Sequence, residues 1–259
     1  MAPNARARAA HARMFPGHVS TLAETDPELI ETFDNFAFDE VPAQGSLDER
    51  TRLIVTLGAL VACQAVAEYR VMLGAALTIG VTPVEAKEVV YHAVPYVGMA
   101  KVFDFLHATN EVLAARGVPL PLPGQSTTTP EARAEKGYAT QGAIIGRERL
   151  EGMYAAAPAE EMHIQRWLSA NCFGDTWTRG GLDVPLRELL TLAILAAHGG
   201  CDPQVRGHVA ANLNVGNDRA KMIDVVSQLV PWIGYPRALN ALRAIDEGAP
   251  APAKERADV

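Results

Sequence analysis

The sequence predicts an all-α protein, a tandem duplication of one helical unit packed as a pseudo-dimer. Three observations carry this. Apolar residues recur at helical spacing without the sustained alternation of half-buried strands. Helix-start signals stand where those apolar runs begin. Two long segments also match each other in the same order along the chain.

In the first matching block, AFDEVPAQGSLDERTR (37–52) aligns with CFGDTWTRGGLDVPLR (172–187), setting Phe38 on Phe173, Gly45 on Gly180, Leu47 on Leu182, Asp48 on Asp183 and Arg52 on Arg187. Further on, Gly80 meets Gly216, Val94-Pro95 meet Val230-Pro231, and Gly98 meets Gly234, with one inserted residue placed at Gly199-Gly200. So long a period marks two fused small domains rather than a solenoid, expected to pack about a pseudo-twofold axis. The expected boundaries are 1–116 for the first domain, 117–134 for a linker, 135–247 for the second domain and 248–259 for a tail. The linker assignment rests on the Pro-, Gly- and Thr-rich stretch from Gly117 to Pro130, and the tail GAPAPAKERADV is expected to be disordered.

Each copy is expected to hold about five or six helices joined by short loops. Asp48 and Asp183 stand at N-cap positions, followed by Leu53, Leu57, Leu60 and Val61 in the first copy and by Leu186, Leu190, Ala193 and Ala197 in the second. Thr82-Pro83-Val84-Glu85 reads as a capping box with proline at the first helical position. Gly80 and Gly216 follow apolar runs as helix C-caps, and Asp202-Pro203 reads as another helix start.

Composition excludes several classes of function. Apolar residues make up 49% and charged residues 20% of the chain, which suits a buried core. A formal charge of -7 with no basic stripe argues against a nucleic-acid partner. Runs such as Leu57 to Cys63 and Leu189 to Ala197 fall short of the ~20 residues that cross a bilayer, so no membrane span is expected. The Arg- and Ala-rich start lacks a secretory apolar stretch, and Cys63, Cys172 and Cys201 form no CxxC pair, which fits a reducing cytoplasm. With no zinc spacing, dinucleotide fingerprint, phosphate loop or nucleophile elbow, the chain is expected to need no metal and no cofactor, and to act on a small molecule.

Features shared by both copies read as structural, and Arg52 and Arg187 are of this kind, as partners in an ion pair or helix contact. Features found in one copy are better candidates for chemistry. Glu188 replaces Leu53 inside the apolar stretch LRELLTLAILAA, where a carboxylate must either face solvent or line a pocket. His208 stands where the first copy has Met72, about a turn and a half into a helix, and is either a packing residue or a partner for Glu188. Cys201 precedes that helix, where the dipole would lower a thiol pKa, or where it is simply a small buried side chain. Cys63 and Cys172 read as inert, while His92, His107, Glu68 and Tyr69 form no spacing that marks a site.

The block GLDVPLRELLTLAILAAHGG…RGHVAANLNVG…DVVSQLVPWIGYPRALNAL (181–242) resembles the carboxymuconolactone decarboxylase domain, also called the AhpD-like fold. The first copy resembles it in framework over 47–106, and KGYATQGAIIG (136–146) with CFGDTW (172–177) is similar to the lead-in of the decarboxylase branch. The resemblance implies helical domains assembled as a ring of three dimers, which two fused domains would reproduce as a homotrimer. It also implies a site of Glu188, Cys201 and His208. The peroxidase branch carries Cys-x-x-Cys-x-x-x-His, but here Gln204 stands at the inner cysteine position, so dithiol chemistry lacks its resolving thiol. The leading expectation is therefore a cofactor-independent decarboxylase, a carbon-carbon lyase acting on a small carboxylated lactone or related ring compound. In it His208 donates the proton, Glu188 orients it, and Arg187, Trp232 and Tyr235 contact substrate. The alternatives are a redox enzyme using Cys201 and a non-catalytic small-molecule binding scaffold.

Overall fold

Asp48 and Asp183 cap the helices expected to start there. In the computed structural model, which describes residues 3–18 and 20–251, Asp48 accepts the Thr51 N–H at 2.9 Å and opens α4 (Glu49–Ala62). Asp183 accepts the Leu186 N–H at 2.9 Å and opens α11 (Val184–His198). These two helices are counterparts in the repeat, and they pack directly on each other at the centre of the molecule. A side chain at Gly58 of α4 would collide with Leu190 and Ile194 of α11, so glycine permits the close approach.

Around α4 the first copy places α1 (Ala5–Met14), α2 (Leu22–Thr25), α3 (Pro27–Asn35), α5 (Val66–Ile79), α6 (Pro83–Val97) and α7 (Met99–Ala115). The capping box that starts α6 is present in full, with Thr82 accepting from Glu85 and Glu85 returning to the Thr82 N–H. Around α11 the second copy places α8 (Arg133–Ile145), α9 (Arg147–Ala156), α10 (Met162–Trp167), α12 (Asp202–Asn214) and α13 (Arg219–Gly248). No strand occurs among the described residues. α13 corresponds to α6 and α7 joined: Gly234, at φ 75°, breaks it where Gly98, at φ 82°, separates the first pair. The repeat of a helical domain is thus visible element by element, and one hydrophobic core runs through both copies.

Each copy also contains a π-helical stretch at the matching place, 36–40 and Leu168–Trp177. Such widened turns commonly mark functional regions. The longer one lies against α8 through Gly137 and Gly174, neither of which has room for a Cβ.

Two local expectations, the α12 N-cap and the tail, are corrected, and the linker stretch is held in place by hydrogen bonds. Cys201, not Asp202, is the N-cap of α12, and no side chain caps it. The stretch from Gly117 to Pro130 carries no helix or strand, yet it is tied to the end of the π-helical stretch: Gly180 N–H donates to Gln125 O at 3.0 Å and Thr127 Oγ1 donates to Thr178 O at 2.8 Å. At the tail, α13 runs on to Gly248, and Ala249 is buried with its carbonyl accepting from Arg219 at 2.6 Å. The remainder, 252–259, lies outside the described residues.

Candidate active site

Glu188 lies in the second turn of α11 and is 0% exposed. Its Oε2 accepts from Nδ1 of His208 on α12 at 2.9 Å, so the two residues that distinguish the second copy meet as a pair. Asn212, one turn beyond His208, braces them by donating to the Glu188 carbonyl at 3.2 Å and the His208 carbonyl at 2.8 Å. Asn217 then donates to Asn212 Oδ1 at 2.9 Å, which fixes the amide's orientation. Glu188 Oε1 has no hydrogen-bond partner among the described residues. A buried carboxylate oxygen left unpaired in this way is costly in a purely structural role, and is a mark of functional sites.

His208 is 17% exposed and lines a cavity of about 650 Å³. Nδ1 is engaged by Glu188, which leaves Nε2 for whatever enters. The walls are largely apolar, including Ile145, Met153, Leu168 and Phe173, with Gln141 and Gln204 as neutral polar groups. Arg149 of α9 is the residue of the lining with a permanent charge; its guanidinium is exposed and has no acidic partner among the described residues. Gly207, next to His208, leaves room for that guanidinium where a side chain would press on it.

The first copy completes the site. Pro95 and Tyr96, at the end of α6, line the same cavity, and the Tyr96 ring stands 6.0 Å from the His208 ring in an edge-on arrangement. Tyr96 Oη accepts from Trp177 Nε1 at 3.0 Å and lies within hydrogen-bond distance of Thr191 Oγ1, at 3.2 Å. Burial, with Cys172 and Glu188 nearby, holds the Tyr96 pKa well above the ordinary phenol range, so it is a neutral hydroxyl.

Arg187 does not reach the cavity. It is fully buried and directs its donors to Glu88 Oε2 at 3.0 Å and to the carbonyls of Arg179, Gly180 and Leu182, with Nη1 beside His92 Nδ1 at 3.4 Å. Glu88 also receives Arg179, so one carboxylate of the first copy clamps two arginines of the second. This bears out the structural reading of Arg187 and corrects its assignment to substrate. His92, which forms no recognisable spacing in sequence, lies buried on this network, and burial with the Arg187 charge holds its pKa well below the usual imidazole value.

Two other assignments are corrected. Trp232 points to the opposite site: it is the counterpart of Tyr96, and it lines a cavity of about 100 Å³ with Leu53, Met72 and Gln228 of the first copy's degenerate constellation. The pseudo-twofold carries each copy's aromatic wall to the other copy's pocket. Tyr235 follows the break at Gly234 and is 62% exposed, outside either cavity. Cys201 does line the His208 cavity, but its thiol is not activated: burial and Asp202 raise its pKa, and it donates to Leu195 O at 3.3 Å. Cys63 and Cys172 are likewise raised by burial, in keeping with inert thiols.

The residues of this candidate site and of the network behind it that the sequence did not place there are Asn212, Asn217, Tyr96, His92 and Arg149. Asn212 and Asn217 carried a usable signal, since the repeat sets them against Ala76 and Val81. Among the described residues no cluster of three or more His, Cys, Asp or Glu is arranged to hold a metal ion, and no helix is long and apolar enough to cross a membrane.

Comparison with known proteins agrees with this architecture. The sequence profile of the carboxymuconolactone decarboxylase family matches twice, at residues 27–111 and 163–247. A 4-carboxymuconolactone decarboxylase of Acinetobacter baylyi is 31% identical over 117 residues, which is 45% of this chain and 87% of that protein. Among solved structures, a Burkholderia xenovorans LB400 protein assigned as a gamma-carboxymuconolactone decarboxylase subunit superposes with a TM-score of 0.54 at 20% identity, covering 93% of this chain and 96% of its own. At that identity the superposition speaks for the fold. With two profile matches spanning most of its length, one in each copy, the chain belongs to the carboxymuconolactone decarboxylase family.

Proposed function

We propose that this chain is a cofactor-independent decarboxylase of a small carboxylated lactone or closely related ring compound, 4-carboxymuconolactone being the first candidate, with its active site in the second copy. The observation that carries the reading is the buried Glu188–His208 pair at the wall of the 650 Å³ cavity. Family membership and the named Acinetobacter relative support the reaction class.

In this scheme the carbon-carbon bond to the carboxylate breaks, CO2 leaves, and the electron pair moves into the π system of the lactone carbonyl. His208, oriented through its Nδ1 contact with Glu188, then delivers a proton from Nε2 to the ring carbon and regains one from solvent. No electrons are gained or lost overall, so the chemistry needs no redox group. Apolar walls favour departure of the charged carboxylate as neutral CO2. Arg149 suits an anionic substituent that stays on the ring, because a cation clamped on the departing carboxylate would stabilise the ground state and oppose its loss.

The test is CO2 release from 4-carboxymuconolactone and a panel of related acids by wild type, His208→Gln and Glu188→Gln. Turnover by wild type that both variants lose while folded supports the reading. Turnover that both variants retain, or none with any acid, sinks it.

The chain is also proposed to assemble as a homotrimer, six domains in a ring. Three exposed apolar positions recur in both copies, Leu29 with Ile164, Met99 with Tyr235, and Phe103 with Leu239, as expected if each copy presents the same contact surface. Light scattering after gel filtration would give three times the chain mass, reduced by Phe103→Asp with Leu239→Asp; a single-chain mass for wild type refutes it.

A further inference from the structure

We propose that Tyr96, supplied by the first copy, is a catalytic residue of the second copy's site: its phenol donates a hydrogen bond to the oxyanion that forms on the substrate as CO2 leaves, and a buried chain of donors starting at Arg187 aims it there. The inference rests on the decarboxylase reading and assigns a role that Glu188 and His208 leave unfilled. They handle the proton, while nothing in the scheme so far receives the charge.

The polarity of the chain follows from one end. A guanidinium donates and never accepts, so where Arg187 Nη1 meets His92 Nδ1 at 3.4 Å, the imidazole nitrogen is the acceptor. Neutral His92 then carries its proton on Nε2 and donates it to Thr191 Oγ1 at 2.8 Å. Thr191 has its own proton to pass on, to Tyr96 Oη at 3.2 Å. Trp177, whose indole can only donate, points its Nε1–H at the same oxygen from 3.0 Å. With two donors on Tyr96 Oη, its own proton turns toward the cavity that Tyr96 lines beside His208 and Cys172, where the Cys172 sulfur is the competing acceptor that a substrate oxyanion displaces. A hydroxyl that accepts from others donates more strongly, and in a low-dielectric pocket such a donor stabilises a developing negative charge without reorganising.

The other half of the molecule provides an internal control. Where the active copy's constellation has Glu188, His208, Tyr96 and, buried behind them, His92, the matched positions around the first copy's cavity are Leu53, Met72, Trp232 and Gln228. Thr191 and Thr56, by contrast, are the same residue at the matched position. The phenol and the histidine behind it are therefore replaced together with the acid–base pair, as parts of one device would be. Thr191 has a second acceptor for its proton, the Arg187 carbonyl at 2.9 Å. If the proton sits there, Tyr96 would donate back to Thr191 and the cavity would face a lone pair, so the alternatives differ in a measurable way.

In the full chain, Tyr96→Phe keeps the ring and removes the donor. The expected result with 4-carboxymuconolactone is a fall in kcat of about a hundred- to a thousandfold with KM little changed. Thr191→Val should lower kcat by a smaller factor, about tenfold, and Thr191→Ser should restore it, which a packing role for Thr191 would not do. A second readout needs no turnover: binding of 4-nitrophenolate, whose absorption shifts when its oxyanion accepts a hydrogen bond, compared with 4-nitroanisole. Wild type and His208→Gln should prefer the phenolate, and Tyr96→Phe should lose that preference with its thermal unfolding unchanged. Tyr96-dependent phenolate binding without CO2 release from any acid would sink the decarboxylase reading while leaving the oxyanion donor in place. A wild-type kcat in Tyr96→Phe overturns the proposal, as does phenolate binding that is absent from wild type or equal in wild type and Tyr96→Phe.

Discussion

The two copies hold the same places open and fill them differently. Around His208 there is one cavity of about 650 Å³. At the matching place in the first copy, Leu53, Met72 and Trp232 line a remnant of about 100 Å³, and a separate cavity of about 440 Å³ lies next to it, lined by Phe33, Glu68 and Val71. The scaffold that positions the residues is common to both, so the fold alone does not make an active site. Under the proposed function, four or five side chains decide which half has chemistry; the first half also walls the second half's pocket with Tyr96.

The contrast breaks most sharply at the acid–base pair. His208→Gln or Glu188→Gln should lower kcat/KM about a hundred- to ten-thousandfold, while Met72→Gln at the counterpart position leaves it near wild type; equal losses in a steady-state assay would mean that the halves are not distinct in function. Next comes stability. Glu88→Gln removes the partner of buried Arg187, which should cost about 3–5 kcal/mol in denaturant unfolding. Its counterpart Asp224, which accepts from Ser46 N–H at 2.7 Å and Oγ at 3.0 Å and pairs with no cation among the described residues, should cost about 1 kcal/mol as Asp224→Asn. Transplanting the pair as Leu53→Glu with Met72→His into a His208→Gln background should destabilise by about 1–3 kcal/mol and restore no CO2 release, because the remnant cavity is too small for a ring substrate. Regained turnover would show that cavity volume is not what separates the copies. The smallest effect is expected at Cys201→Ser, within about threefold in turnover, since a thiol with a raised pKa contributes packing rather than a nucleophile.

Local signals were readable in the sequence because their causes are local. Asp48, Asp183 and the Thr82–Glu85 box cap helices through atoms three residues apart, so pattern and structure agree. Glu188 and His208 were readable for a different reason: the repeat supplies a second use of the same scaffold, against which a carboxylate in an apolar helix stands out. The same comparison also singles out Asn212 and Asn217. Tyr96 and His92 also differ from their counterparts Trp232 and Gln228, but their partners belong to the other copy, and only the packing of α6 on α11 and on the stretch Leu168–Trp177 shows which pocket they serve. Trp232 misleads for the same reason: it sits in the matching block yet serves the opposite cavity. Arg149 lies in α9, outside the matched blocks, so nothing in the repeat points to it.

The strap formed by 117–130 has a consequence for how the protein can change. In a dimer of identical chains, the tyrosine at one pocket and its equivalent at the other would be written by a single codon, and any substitution would strike both pockets at once. Once the two halves are encoded in tandem, positions 96 and 232 can drift separately, and one pocket can be surrendered without harm to its neighbour. Covalent joining thus lifts the constraint of self-complementarity, and the pair Tyr96 and Trp232 records that freedom.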